Sequence, residues 1–184
     1  MRAPNWETCT EKELWEYVAT HLEKNGIRTI LVGGAVVSIY TEGLYRSGDL
    51  DLILENYLVK NLPEKMAEIG FKVQRGRHYK HPECPHIFVD FASPPVSIGK
   101  DSQITAAERK VDGTVIRFYS PTDCVRDRLA SYIHFEARDC LDQAVLVAKK
   151  HPVDMNKIKR WCKGEGAPQA FEEVSHLLAE TANP

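Results

Sequence analysis

The first apolar positions of the chain repeat with a helical period. Leu14, Tyr17, Val18 and Leu22 fall on one stripe over residues 10–25. Thr10 and Glu13 have the spacing of a capping box, and Asn25-Gly26 closes the segment. The pattern therefore predicts a helix that covers a sheet, with Trp6 and Trp15 in its packing. The period then changes. Thr29 to Val32 is a short β-branched apolar run and reads as a strand. Gly33 and Gly34 follow at once, and Ala35 to Tyr40 continues as a helix. Asp49 to Leu54 alternates, with Leu50, Leu52 and Leu54 on one face and Asp49 and Asp51 on the other. A short helix is expected over 61–69, with Asn61 as cap, Pro63 in the first turn and Gly70 at its end. Phe71 to Gln74 and Ile87 to Phe91 read as strands joined by a polar connector. Residues 93–111 read as an irregular loop and a short segment. Asp112-Gly113 turns the chain into a last strand, Thr114 to Tyr119.

From Ser120 onward the pattern is helical. Ser120-Pro121-Thr122-Asp123 is a helix start, followed by Val125, Leu129, Tyr132 and Ile133 on one stripe. Further helices are expected over 138–150, after Asp154 and after Pro168. The alternation of strands and helices makes this an α/β (α+β) chain. We expect a core over 1–119 and a C-terminal helical region over 120–184 packed on it, a size that fits 184 residues.

Composition narrows the function classes. The formal net charge of -2 supplies no global basic field, so any contact with nucleic acid must be local. The five cysteines are scattered and contain no C-x-x-C, which reads as free thiols in a reducing, cytoplasmic setting. No apolar run has membrane-spanning length, and no N-terminal apolar leader segment is seen, so no membrane is expected as a partner.

The candidate chemistry lies between residues 27 and 54. A double glycine after a strand lets an anion approach the backbone closely, and the next helix aims its free N–H groups at the same place. Asp49 and Asp51 stand roughly 7 Å apart along one strand face. Paired carboxylates opposite a phosphate cradle suit a magnesium-dependent phosphoryl or nucleotidyl transfer. Each part alone has a plain reading: a tight turn, or two acids among the 26 in the chain. The signal is their conjunction, with fourteen residues between Gly34 and Asp49 and with Arg46 and Ser47 just before the aspartates. Asp90 interrupts an apolar strand, where burial is costly unless the acid is paired or binds a metal. A water-facing edge position is its alternative. Arg75, Arg77, His78, Lys80 and His81 surround Tyr79, and could contact a triphosphate or RNA or could form a solvated hairpin tip. His78, His81, Cys84 and His86 match no standard zinc spacing. Lys100 and Asp101 could approach a nucleotide, though nothing in the pattern fixes them.

The stretch VGGAVVSIYTEGLYRSGDLDLIL resembles the signature of the DNA polymerase beta-like nucleotidyltransferase superfamily. It is especially similar to small stand-alone prokaryotic members related to abortive-infection type toxins. The resemblance implies a nucleotidyltransferase fold, with a small mixed twisted sheet flanked by helices. It implies Mg²⁺ (or Mn²⁺) held by Asp49 and Asp51, with Asp90 in HIFVDFASPPVSIG as the third carboxylate and the base. It further implies an NTP substrate such as ATP, met by Gly33, Gly34, Arg46 and Ser47. The implied reaction moves an NMP to an acceptor hydroxyl and releases pyrophosphate. Ala35 departs from the Ser or Thr that many members carry there; Ser47, Ser38, or the backbone with Arg46 would take over. By the same resemblance, Arg128, Arg138 and Asp139 belong to a helical segment that closes over the nucleotide; an exposed salt-bridged face is the alternative. RNA or a protein could be the acceptor. A non-catalytic nucleotide- or partner-binding relative, and a toxin-like enzyme modifying tRNA, are the competing readings.

Overall fold

A computed structural model describes residues 2–180. Helix α1 (Glu11–Lys24) opens on the expected capping box: the Thr10 side chain accepts from the Glu13 N–H, and the Glu13 carboxylate accepts from the Thr10 N–H. Strand β1 (Thr29–Val32) and the short helix α2 (Gly34–Tyr40) are joined through Gly33, whose φ of 73° and ψ of -157° suit glycine alone. Strand β2 (Asp49–Leu54) is followed by α3 (Leu62–Glu68), β3 (Lys72–Arg75), β4 (His78–His81) and β5 (Cys84–Ala92). Strands β6 (Ala106–Val111) and β7 (Thr114–Tyr119) precede α4 (Pro121–Phe135), α5 (Arg138–Lys150), α6 (Met155–Gly164) and α7 (Pro168–Glu180).

The seven strands form one mixed sheet in the order β3-β4-β5-β2-β1-β7-β6. Two pairings position the site. Antiparallel β1 and β2 place Asp51 opposite Val32, the last residue before the glycine turn. Parallel β2 and β5 place Asp51 opposite Asp90. Because side chains alternate along both strands, Asp49, Asp51, Phe88 and Asp90 share one face, while Leu50, Leu52, Val89 and Phe91 are buried on the other. Helix α1 packs on β7 and β1, and α2 packs on β1 and β2. Helices α4 and α5 pack on each other and on α2, with α6 and α7 behind them.

Two strands depart from the expected pattern. The connector between Gln74 and Ile87 contains β4, and the short segment expected after the irregular loop in 93–111 is strand β6. Strand β4 has four residues, HYKH, and β6 reads AAERKV; both are rich in charge. Neither carries the apolar alternation that marks a half-buried strand. What makes each a strand is its neighbour: β6 is an edge strand held by six register pairs to β7, and β4 bridges β3 and β5.

Candidate active site

Three carboxylates gather on the polar face of β2 and β5. Asp51 sits at their centre. One of its oxygens lies so close to Gly33 that a Cβ there would be 2.3 Å from it, so the missing side chain is what lets Asp51 reach the turn. The same test at Gly34 puts a Cβ 2.5 Å from the Ser47 hydroxyl and 3.3 Å from the Tyr45 ring. Gly33 is thus covered by Asp51 of β2, and Gly34 by the loop before that strand. The Ser47 hydroxyl in turn donates to Asp49 at 2.5 Å. Asp90 accepts from or donates to His78 Nδ1 at 2.6 Å, and His78 is its register partner on β4.

The electrostatics follow from this crowding. Burial pushes the Asp51 carboxyl up from 3.8 to about 6, and the charges of Asp49 and Asp90 push the same way. Arg128 of α4 pulls it back down, against a further upward push from Asp127. Burial would lower the Arg128 guanidinium, yet the Asp127 carboxylate at 2.6 Å more than offsets this and raises it. No described residue donates a hydrogen bond to the Asp51 side chain. Asp51 is thus a half-buried acid with two others on the same face and the Arg128 guanidinium as its one favourable charge. Carboxylate oxygens are the ligands that Mg²⁺ or Mn²⁺ takes, and Asp49, Asp51 and Asp90 are the residues that would supply them.

The loop that roofs Gly34 is pinned from below. Glu11, in the first turn of α1, is buried and accepts from Ser38 Oγ, Arg46 Nε and the Ser47 backbone N–H, each at 3.0 Å. Burial alone would raise its carboxyl, but the backbone N–H, Arg46 and Ser38 together hold it below the usual range. Arg46 thus spends its Nε on Glu11, while about half of its side chain remains exposed. Ser38, one of the residues considered as a replacement for the absent hydroxyl at 35, is committed to Glu11. Ser47 is the hydroxyl that lies over Gly34.

Other sequence candidates scatter. Strand β4 splits the basic run. His78 faces Asp90 and Lys80 lies over the Phe88 ring, while Tyr79 is buried and His81 stacks on Trp6 in the core at 3.8 Å between centroids. Arg77 is bonded to Ser93. Lys100 and Asp101 join a different network. Asp101 pairs with the fully buried Arg126, which also holds Asp123 at 2.7 Å, and the Lys100 N–H donates to Glu165. That network borders a cavity of about 460 Å³ lined by Lys157, Arg160 and Trp161 among others, which contains none of the three aspartates. Asp139 accepts from Gln143, which in turn accepts from Arg128, so Asp139 is linked to the site indirectly. Arg138 lines a surface concavity with Tyr132 and Glu136. Tyr45 and Asp127 are neighbours of the carboxylates to which the sequence reading gave no role, and His78, read there within a basic run that could contact a triphosphate or RNA, instead pairs with Asp90.

No protein-family model matches the chain, and no curated protein sequence matches it. Solved structures do. A nucleotidyltransferase-like antigenic protein from Paracoccidioides brasiliensis superposes with a TM-score of 0.57 at 18% identity, over 74% of each chain. The fold is that of the nucleotidyltransferases. The antibiotic-resistance factor ANT(2'')-Ia gives a TM-score of 0.52 at 12% identity, over 92% of this chain and 91% of that one. Its complex with adenylyl-2''-tobramycin gives 0.51 at 12% identity, over 92% and 97%. This nucleotidyltransferase fold sets the glycine turn and the β2 aspartates side by side, in the geometry described above.

Proposed function

We propose that the chain is a divalent-cation-dependent nucleotidyltransferase that transfers an NMP from an NTP, ATP being the first to test, to a hydroxyl acceptor. The observation that carries this reading is the contact of Asp51 with the bare Cα of Gly33, with Asp49 and Asp90 on the same face. A polyphosphate needs close approach to a main chain, and a cation needs carboxylate oxygens; here the Asp51 carboxylate lies against the glycine turn. When bound, Mg²⁺ supplies charge neutralisation on the phosphates and acidifies the acceptor hydroxyl.

The chain's own residues do the rest. Backbone N–H groups at Gly33 and Gly34, with the Ser47 hydroxyl, receive the terminal phosphates. Arg46, tethered through Nε to Glu11, presents its outer guanidinium edge to the same oxygens. The acceptor oxygen attacks the α-phosphorus in line, the bond to the pyrophosphate oxygen breaks, and pyrophosphate leaves with that electron pair. The acceptor's proton goes to Asp90 at Oδ2, whose Oδ1 is tied to His78 Nδ1. Arg128 offsets the accumulated charge from the α4 side.

A small hydroxylated acceptor is favoured over RNA. The basic run that would grip an RNA backbone is divided between two sheet faces and is partly consumed by internal partners. A fold neighbour, in contrast, is bound to an adenylylated tobramycin. The small stand-alone members related to abortive-infection toxins remain the sequence group we place it beside. The test is calorimetry of ATP binding with Mg²⁺, followed by transfer of label from α-labelled ATP to hydroxylated small molecules and to total RNA. We expect binding that disappears in the Asp49→Asn, Asp51→Asn double variant, and label on a small acceptor. Unchanged metal-dependent binding in the double variant would remove the enzyme reading; label on RNA would reverse the choice of acceptor.

A further inference from the structure

A second constellation, at the other end of β5, is independent of the aspartates. Cys9, just before α1, and Cys84, which opens β5, are both buried and bring their sulfurs to 3.7 Å across 75 residues of sequence. His86 Nδ1 lies 3.8 Å from Cys84 Sγ, and one ligand atom from each of the three residues falls within 4.8 Å of the others. The zinc pattern considered from sequence therefore fails for two of its members, since His78 serves Asp90 and His81 stacks on Trp6. Cys9 takes their place, and no sequence spacing could have brought it in.

We propose that Cys9, Cys84 and His86 form a site for a thiophilic metal ion, Zn²⁺ first, that clips the N-terminal segment to β5. Three observations support it. Zn–S bonds of about 2.3 Å and Zn–N bonds of about 2.0 Å at a tetrahedral centre require S···S and S···N edges of about 3.8 and 3.5 Å. The Cys9–Cys84 and Cys84–His86 spacings of 3.7 and 3.8 Å are close to both, and the Cys9–His86 edge lies within 4.8 Å. The imidazole is also already oriented: its Nε2 lies 2.9 Å from the Cys9 carbonyl oxygen, an acceptor that requires Nε2–H. That bond leaves Nδ1 as the bare nitrogen facing the sulfurs, the outer-shell arrangement that ligating histidines use. Finally, His86 is exposed while both thiols are buried, so the fourth position opens toward solvent and can be filled by water. The clip would act on the site indirectly, because the Phe88 N–H on β5 donates to the carbonyl of Gly48, next to Asp49.

The test uses the reduced full-length chain. Cobalt(II) should give a thiolate-to-metal charge-transfer band that saturates at one equivalent and is displaced by Zn²⁺. One equivalent of Zn²⁺ should slow alkylation of Cys9 and Cys84, mapped by mass spectrometry, while leaving Cys124, Cys140 and Cys162 unchanged. His86→Ala alters an exposed side chain and leaves the thiols in place; it should weaken Zn²⁺ by at least tenfold against a chromophoric chelator. The Asp49→Asn, Asp51→Asn double variant should keep the cobalt band, which separates this site from the magnesium site. Absence of a thiolate band, equal alkylation of all five cysteines with and without Zn²⁺, or an unchanged Zn²⁺ affinity in His86→Ala would each overturn the proposal.

Discussion

Replacing Asp51 by Asn should stabilise the folded chain at neutral pH while abolishing transfer. The Asp51 carboxyl titrates near 6 rather than at 3.8, chiefly through burial and then through Asp49 and Asp90. Because the folded value is the higher one, the folded chain retains a proton that the unfolded chain has already lost. Stability is therefore full below the unfolded value and declines as pH rises toward the folded one. At about 1.4 kcal/mol per pH unit of separation, the loss reaches about 3 kcal/mol by neutrality. Asn has nearly the same volume and carries no charge, so it escapes this loss. Urea unfolding, followed by the fluorescence of the fully buried Trp15 and its companions, should show the variant gaining on the parent from about pH 4 to about pH 7, by up to about 3 kcal/mol. For a chain of this length, that corresponds to roughly 6–12 °C in melting temperature. Saturating Mg²⁺ should shrink the gap, because the cation stabilises the parent and finds less to bind in the variant. A difference that stays flat across this pH range, or a variant less stable than the parent at neutrality, would refute the account of the site as a cluster of uncompensated charge.

Three further outcomes are expected. Gly33→Ala places a methyl group 2.3 Å from the Asp51 carboxylate at a φ of 73°; it should cost about 1–3 kcal/mol in a thermal melt and remove nucleotide binding by calorimetry. Glu11→Ala leaves Ser38, Arg46 and the Ser47 N–H without their shared acceptor; a loss of about 2–3 kcal/mol and a raised KM for the nucleotide are expected, and an unchanged KM would mean the loop does not position phosphate. Arg126→Met leaves the fully buried Asp123 with Lys157 and the Thr105 N–H but without its guanidinium; unfolding should be easier by about 3–5 kcal/mol, with transfer per folded molecule unaltered at permissive temperature.

How much of this could be read from the chain depends on how local each cause is. The glycine turn and the Asp49–Leu54 alternation are set by neighbours in sequence, and β1, β2 and β7 have the bounds expected of them. Asp90 stood out as a charge amid Ile87, Val89 and Phe91, yet the cost expected from burial does not arise, because its side chain is 41% exposed and pairs with His78. Strands β4 and β6 were hidden because their stability comes from partners and not from their own apolar content. The role of Glu11 was equally hidden. It looked like an ordinary first-turn acid, favourable to a helix start, and only the fold brings the 46–47 backbone down onto it. The Cys9–Cys84 contact spans 75 residues and leaves no trace in either local sequence.

The in-register pairing of Asp51 with Asp90 has a consequence for quality control. Sliding β5 by a single residue would rotate Asp90 into the hydrocarbon interior and turn Val89 out to water. A molecule assembled one step out would therefore lose the third acid and its packing together. Such a slipped molecule would be poorly packed and would lack the shared face that the three carboxylates form.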